Sequence, residues 1–202
     1  MGNHQYFDED NQYNQINLMF YMLSPPPPDE ILRAADALKF RATLFVGILV
    51  NRKKILPASF IYFRDHIFNR VMDYGYFPIA IKPKGATIVI AEVNCNPEDK
   101  IWSNWDLTKN AILQDFEKEE LFHRNEVLEM HPFRAPNVYP IYLLGYEKNL
   151  ETLLAWVDGI SNFQTTGRQG LFQYVNSHVA IRMGYNAADQ ILNFFSSPAG
   201  KS

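Results

Sequence analysis

The residues best placed to do chemistry lie in the stretch 163–188, FQTTGRQGLFQYVNSHVAIRMGYNAA. Thr165 and Thr166 lead to Gly167 and Gly170, two glycines that let a backbone bend or lie flat against something bulky. Leu171, Phe172, Tyr174 and Val175 form a short apolar-aromatic run. Asn176 or Ser177 is then suited to cap a helix from about His178 to Phe195. A helix N-terminus carries about half a positive charge and unpaired N–H groups, so it suits an anionic or electron-rich ligand. One face of this helix is small (Ala180, Gly184, Ala187, Ala188) and would press closely on a neighbour or a flat ring. The other is bulky (Val179, Met183, Ile191, Phe194). The same spacing also describes a packed C-terminal helix after an ordinary turn, because a lone glycine pair is a weak signal.

Other catalytic constellations do not emerge. His4, His66, His123, His131 and His178 show no metal-ligand spacing with one another or with Cys95, so no metal site is expected. Asp65 and His66 are adjacent, which on a strand would point them to opposite faces. No nucleophile elbow or phosphate-cradling loop occurs. Glu117, Glu119 and Glu120 fall on a helix surface and are most simply solvated.

Composition narrows the class. The chain has 202 residues, 47% of them hydrophobic and 14% aromatic, enough for a real core in one domain. A net charge of −3 gives no electrostatic case for nucleic acid as a partner. One cysteine excludes an internal disulfide and fits a reducing compartment. The first fifteen residues, MGNHQYFDEDNQYNQ, are polar and acidic, the opposite of a secretory signal, and no apolar run has the length of a membrane span. The expectation is a cytoplasmic protein with a flexible lead over 1–15 and a single domain over 16–202.

The elements that must position the 163–188 stretch follow from periodicity. Residues 16–23 (INLMFYML) read as a buried strand, ended by the prolines 25–28. The proline run is read as a rigid spacer, with an SH3-type ligand as the alternative. Asp29 and Glu30 open a helix to about Leu38 with Ile31, Ala34, Ala35 and Leu38 on one face. Residues 42–50 (ATLFVGILV) read as a strand covered on both faces, with 59–63, 67–72 and 86–93 as further strands. A helix is expected over 107–122 with Ala111, Phe116 and Leu121 inward. A strand over 127–133 is broken at 134–136, and 138–144 is extended around Pro140. Tyr146, Leu150, Leu153, Leu154, Val157 and Ile160 then mark an amphipathic helix. Strands in succession without intervening helices predict an α+β fold, with a mixed, mainly antiparallel sheet and flanking helices.

The pattern GRQGLFxYxN…A…MGxxAA resembles the C-terminal flavin-contacting segment of the FAD-dependent amine oxidase and protoporphyrinogen oxidase-like family, relatives of which include UDP-galactopyranose mutase and the phytoene desaturases. Residues 61–71 (IYFRDHIFNRV), 88–93 (IVIAEV), 139–142 (YPIY) and Gly145-Tyr146 continue the resemblance in the family's order, so that it covers roughly 16–195. The family usually has a Met-Asp pair where this chain has Ser177-His178, and the acidic helix cap is missing. The resemblance implies FAD contacts from Gly167, Arg168, Gly170, Phe172, Tyr174 and Asn176, and substrate-side roles for Tyr62, Arg70, Tyr139 and Tyr142. The substrate would be an amine, a porphyrin-like or polyene molecule, or a nucleotide sugar. The family's opening GxGxxG is absent, and its members run to about twice this length. Residues 16–28 would match the segment crossing back from the FAD domain. The expectation is therefore a partial flavin oxidoreductase, not active alone, that is either a fragment or a split subunit completed by a Rossmann-domain partner chain. The alternative is a non-catalytic binding module that forms a homodimer or binds a partner chain.

Overall fold

The computed structural model describes residues 15–160 and 163–196, so the polar lead lies outside the described residues apart from Gln15. Helix α1 (Ile16–Met19), a 3-10 turn (Phe20–Met22) and α2 (Asp29–Ala37) precede β1 (Lys39–Val50), β2 (Phe60–Tyr62) and β3 (Arg70–Asp73). There follow β4 (Thr87–Cys95), α3 (Lys100–Ser103), α4 (Trp105–Lys118), β5 (Val127–Ile141), α5 (Tyr146–Asp158), α6 (Gly167–Gly170) and α7 (Ser177–Ser196). The chain divides into two compact units, a division the sequence reading does not draw. One is Met1–Phe40 with Tyr139–Ser202, and the other is Arg41–Val138.

The Arg41–Val138 unit is built on a five-stranded sheet in the order β2-β3-β4-β1-β5. β1 runs antiparallel to β4 from Ala42 opposite Cys95 to Val50 opposite Thr87, and β3 and β2 continue antiparallel beyond β4. Leu44, Val46, Ile48 and Val50 share a face with Val89, Ala91 and Val93, and all are fully buried. Ile112, Leu113 and Phe116 of α4 join the same core, in which Phe116 meets Phe68 at 4.7 Å and Phe122 at 4.4 Å. Phe45, Gly47 and Leu49 on the opposite face are only half-buried, so the strand is not covered equally on both sides as expected. Cys95 is buried, and burial pushes its thiol pKa up, as suits an inert core thiol.

Asp73, wholly buried, organises one end of this unit. One carboxylate oxygen accepts from the Ile55 and Leu56 N–H groups at 2.7 and 2.9 Å. The other accepts from the Gly75 N–H and the Thr87 hydroxyl, both at 2.8 Å. Four donors satisfy the charge that burial would otherwise penalise.

In the other unit α2 packs on α5. Ile16, Phe20, Ile31, Ala35, Leu38, Leu153, Val157 and Phe172 form its core.

Three further expectations are corrected. Residues 16–22 are helical rather than a strand: Ile16 and Phe20, four apart, are both fully buried, and a short apolar run leaves period to context. β3 begins at Arg70, and Asp65 and His66 lie in an irregular connection before it, so the opposite-faces argument does not apply. β5 is not broken at 134–136. It is an edge strand whose prolines at 132, 136 and 140 share one parity, so each missing N–H points to the same side and need not interrupt the ladder.

Candidate functional site

The segment carrying the flavin-like pattern opens with a single helical turn, α6. Gly167 has φ +78, a conformation that favours glycine, and a Cβ there would meet no described atom within 4 Å. Gly170 is required for a different reason. A Cβ there would stand 2.5 Å from the Thr165 hydroxyl oxygen, which donates to the Gly170 carbonyl at 2.7 Å. Phe172 also takes a left-handed conformation, φ 51, and is held in it by burial among Phe40, Tyr142 and Tyr146 at ring distances of 5.0–5.8 Å. It is a core residue.

Arg168 is the only charged side chain the segment presents before α7. Its guanidinium lies 4.2 Å from the Tyr174 ring centre and 5.3 Å from that of Tyr139, and donates to the Val175 carbonyl at 3.0 Å. Two tyrosine faces stabilise the cation through their quadrupoles without neutralising it. Among the described residues Arg168 forms no ion pair. The rest of its planar donor fork is therefore uncommitted to carboxylate.

The substrate-side candidates divide between the units. Tyr139 and Tyr142 join the Arg168 cluster: Tyr139 meets Tyr174 at 5.6 Å, and the Tyr142 hydroxyl accepts the Tyr174 N–H at 2.8 Å. Tyr142 thereby fixes the turn after Phe172. Tyr62 and Arg70 sit in the Arg41–Val138 unit. Arg70 donates twice to one carboxylate oxygen of Glu92, through Nε at 2.9 Å and through Nη2, while Nη1 reaches the Tyr62 hydroxyl at 3.3 Å. With 10% of the Glu92 side chain and 25% of the Arg70 side chain exposed, this is a part-buried, charge-neutralised pair.

Sequence reasoning gave no site role to Glu92, Thr165, Phe40 or Tyr146. Tyr146 packs on Tyr142 with tilted rings 4.8 Å apart, and burial, then the Glu147 carboxylate, raise its phenol pKa. The signal for Glu92 existed, since it is the only acidic residue within the apolar run 86–93.

α7 begins where the Asn176 carbonyl accepts from the Val179 and Ala180 N–H groups at 3.0 and 3.1 Å. Asn176 itself is exposed. The helix is tied back by the Thr166 hydroxyl to the Met183 carbonyl and by a Gln164–Gln190 amide pair. The face it buries is not the small one. Ala187 is buried, but Gly184 and Ala188 are exposed, and a Cβ on Gly184 would meet no described atom within 4 Å. Ile181, Tyr185, Leu192 and Phe195, at coiled-coil-like spacing, are each more than 60% exposed.

No helix among the described residues is long and apolar enough to cross a membrane, and no group of three or more potential metal ligands occurs among them.

No family model and no curated protein matches the sequence. Solved structures do. Reduced UDP-galactopyranose mutase superposes with a TM-score of 0.74 at 20% identity, over 91% of this chain and 40% of that one. A putrescine oxidase triple mutant redesigned in its cofactor binding matches with a TM-score of 0.58 at 14% identity, over 89% of this chain and 41% of that one. A protoporphyrinogen oxidase-like protein from Exiguobacterium sp. matches with a TM-score of 0.54 at 15% identity, over 71% of this chain and 32% of that one. At these identities the likeness is one of fold, and the chain spans well under half the length of each. What the chain shares with these proteins is their fold, as far as its own length extends.

Proposed function

We propose that the chain is the substrate-side and flavin-closing part of an FAD-dependent oxidoreductase, completed by a dinucleotide-binding part on a partner chain. The observation that carries this reading is Arg168. It is a cation packed against two aromatic rings, with no carboxylate partner among the described residues, beside an open face at Gly167. These residues fit the ring end of a flavin, whose carbonyl oxygens accept hydrogen bonds and whose ring gains negative charge on reduction. The sequence offers no GxGxxG turn to cradle a pyrophosphate, which is why the reading requires a second part. FAD would supply the two-electron redox step. The chain's own share is to orient the ring edge through Arg168, to wall off water with Tyr139, Tyr142 and Tyr174, and to position a small-molecule substrate.

The test is an absorbance spectrum from about 300 to 550 nm after incubation with FAD and desalting, together with a titration of riboflavin fluorescence, which probes the ring alone. The reading expects riboflavin quenching that Arg168→Lys weakens, since lysine lacks the planar fork. Riboflavin fluorescence untouched by the wild type, or quenched equally by the variant, overturns it.

A second reading, a non-catalytic module that dimerises or binds a partner chain, is favoured by the exposed apolar row on α7. Monomers rarely leave such a row uncovered. Sedimentation velocity separates the two: a homodimer that leaves riboflavin unquenched supports the module, and a strict monomer argues against it.

A further inference from the structure

His66 lies in the connection between β2 and β3, and its ring nitrogens both face acceptors. Nε2 is 2.8 Å from the Glu119 carboxylate, and Nδ1 contacts the Arg64 carbonyl oxygen. Neutral imidazole has one N–H and one lone pair, so it can satisfy only one of these neighbours and sets its lone pair against the other. The imidazolium satisfies both. The ring is 9% exposed, stacked on Phe68 at 5.5 Å and edge-on to Phe63 at 5.4 Å, so it has little room to turn away. The connection is fastened to α4 a second time where the Ile67 N–H donates to Asp115 at 2.7 Å. Its ends close on each other where the Phe63 N–H donates to the Asn69 carbonyl at 2.9 Å.

We propose that His66 is a protonation-gated clasp that ties residues 63–69 to α4 and thereby holds Tyr62 and Arg70, the last residue of β2 and the first of β3, in place. The charged groups around the ring are Asp115 on α4 and Glu119 at its C-terminal cap, both acidic, with Arg64 and Asp65 exposed on its own segment. The Arg64 carbonyl, and after it the two carboxylates, raise the His66 pKa above its ordinary 6.5 against the opposing effect of burial. A raised folded-state pKa means that the clasp is fully formed below about 6.5 and is lost as pH rises through the folded-state value. Neither part of this depends on flavin binding.

The test combines a histidine C2-proton NMR titration with amide exchange at Ile67, corrected for the intrinsic pH dependence of exchange. His66 should titrate above 6.5, and Glu119→Gln should lower its midpoint. Ile67 exchange should accelerate about tenfold across the titration for each unit by which the clasped and open states differ. His66→Gln should make exchange at Ile67 independent of this titration. A His66 midpoint at or below 6.5, or Ile67 protection unchanged across it, overturns the proposal.

Discussion

Removing one oxygen acceptor from Asp73 tests how the Arg41–Val138 unit is held together. In Asp73→Asn the side chain keeps its shape but offers one carbonyl oxygen and one NH2 to four donors: the Ile55, Leu56 and Gly75 N–H groups and the Thr87 hydroxyl. The least damaging orientation turns the NH2 toward Gly75 and Thr87, because the Thr87 hydroxyl can rotate to accept. The Gly75 N–H then has no acceptor, at about 1–3 kcal/mol for a buried unpaired group. The remaining bonds lose charge assistance, at roughly 0.5–1 kcal/mol each. Together these predict a loss of about 3 kcal/mol. At about 2–4 °C per kcal/mol for a chain of this size, the unfolding midpoint should fall by roughly 6–12 °C. Near-UV circular dichroism, with scanning calorimetry to resolve the transition of this unit, reads the shift. A fall of less than about 2 °C would refute the assignment of Asp73 as the anchor of the 55–56 segment, the 74–76 turn and β4.

Tyr142→Phe should release the Tyr174 N–H at a cost of about 1 kcal/mol, seen as faster amide exchange at Tyr174 while the Phe172 core stays ordered. Gly170→Ala should expel the Thr165 hydroxyl from its bond to the Gly170 carbonyl and lower stability by about 1–3 kcal/mol, whereas Gly184→Ala, with open space, should be neutral or slightly stabilising in its helix; denaturant unfolding compares the two. Glu117 accepts two side-chain bonds and one backbone bond from Arg124, which hold its pKa down to about 2. Its contribution is present above the ordinary 4.5 and is lost as pH falls through about 2. Arg124→Gln should return the midpoint toward 4.5 in a carboxyl carbon NMR titration.

How much of the site was legible differs residue by residue. Gly167 and Gly170 stand out in the sequence, yet only the structure separates their reasons, a positive φ at one and a crowded Thr165 hydroxyl at the other. Arg168 is visible as a cation, but not as one lacking a carboxylate partner among the described residues. Arg70 is equally visible, and 22 residues separate it from the Glu92 that neutralises it. The small face of α7 was legible as a pattern, but which face turns inward was not, because that depends on what α6 and residues 163–166 present to it.

What the sequence by itself determined is whatever depends on neighbours a few residues apart. The amphipathic periods set α2, α4 and α5, the apolar run set β1, and the succession of strands set the α+β class. What only the tertiary structure decided is whatever depends on partners brought together from afar. That covers the helical state of residues 16–22, the unbroken course of β5, the four donors on Asp73, and the placing of Tyr139 and Tyr174 against Arg168. A short apolar run or a lone polar side chain is compatible with several local states. Burial and hydrogen bonding against distant residues select among them, and local sequence does not encode those distances.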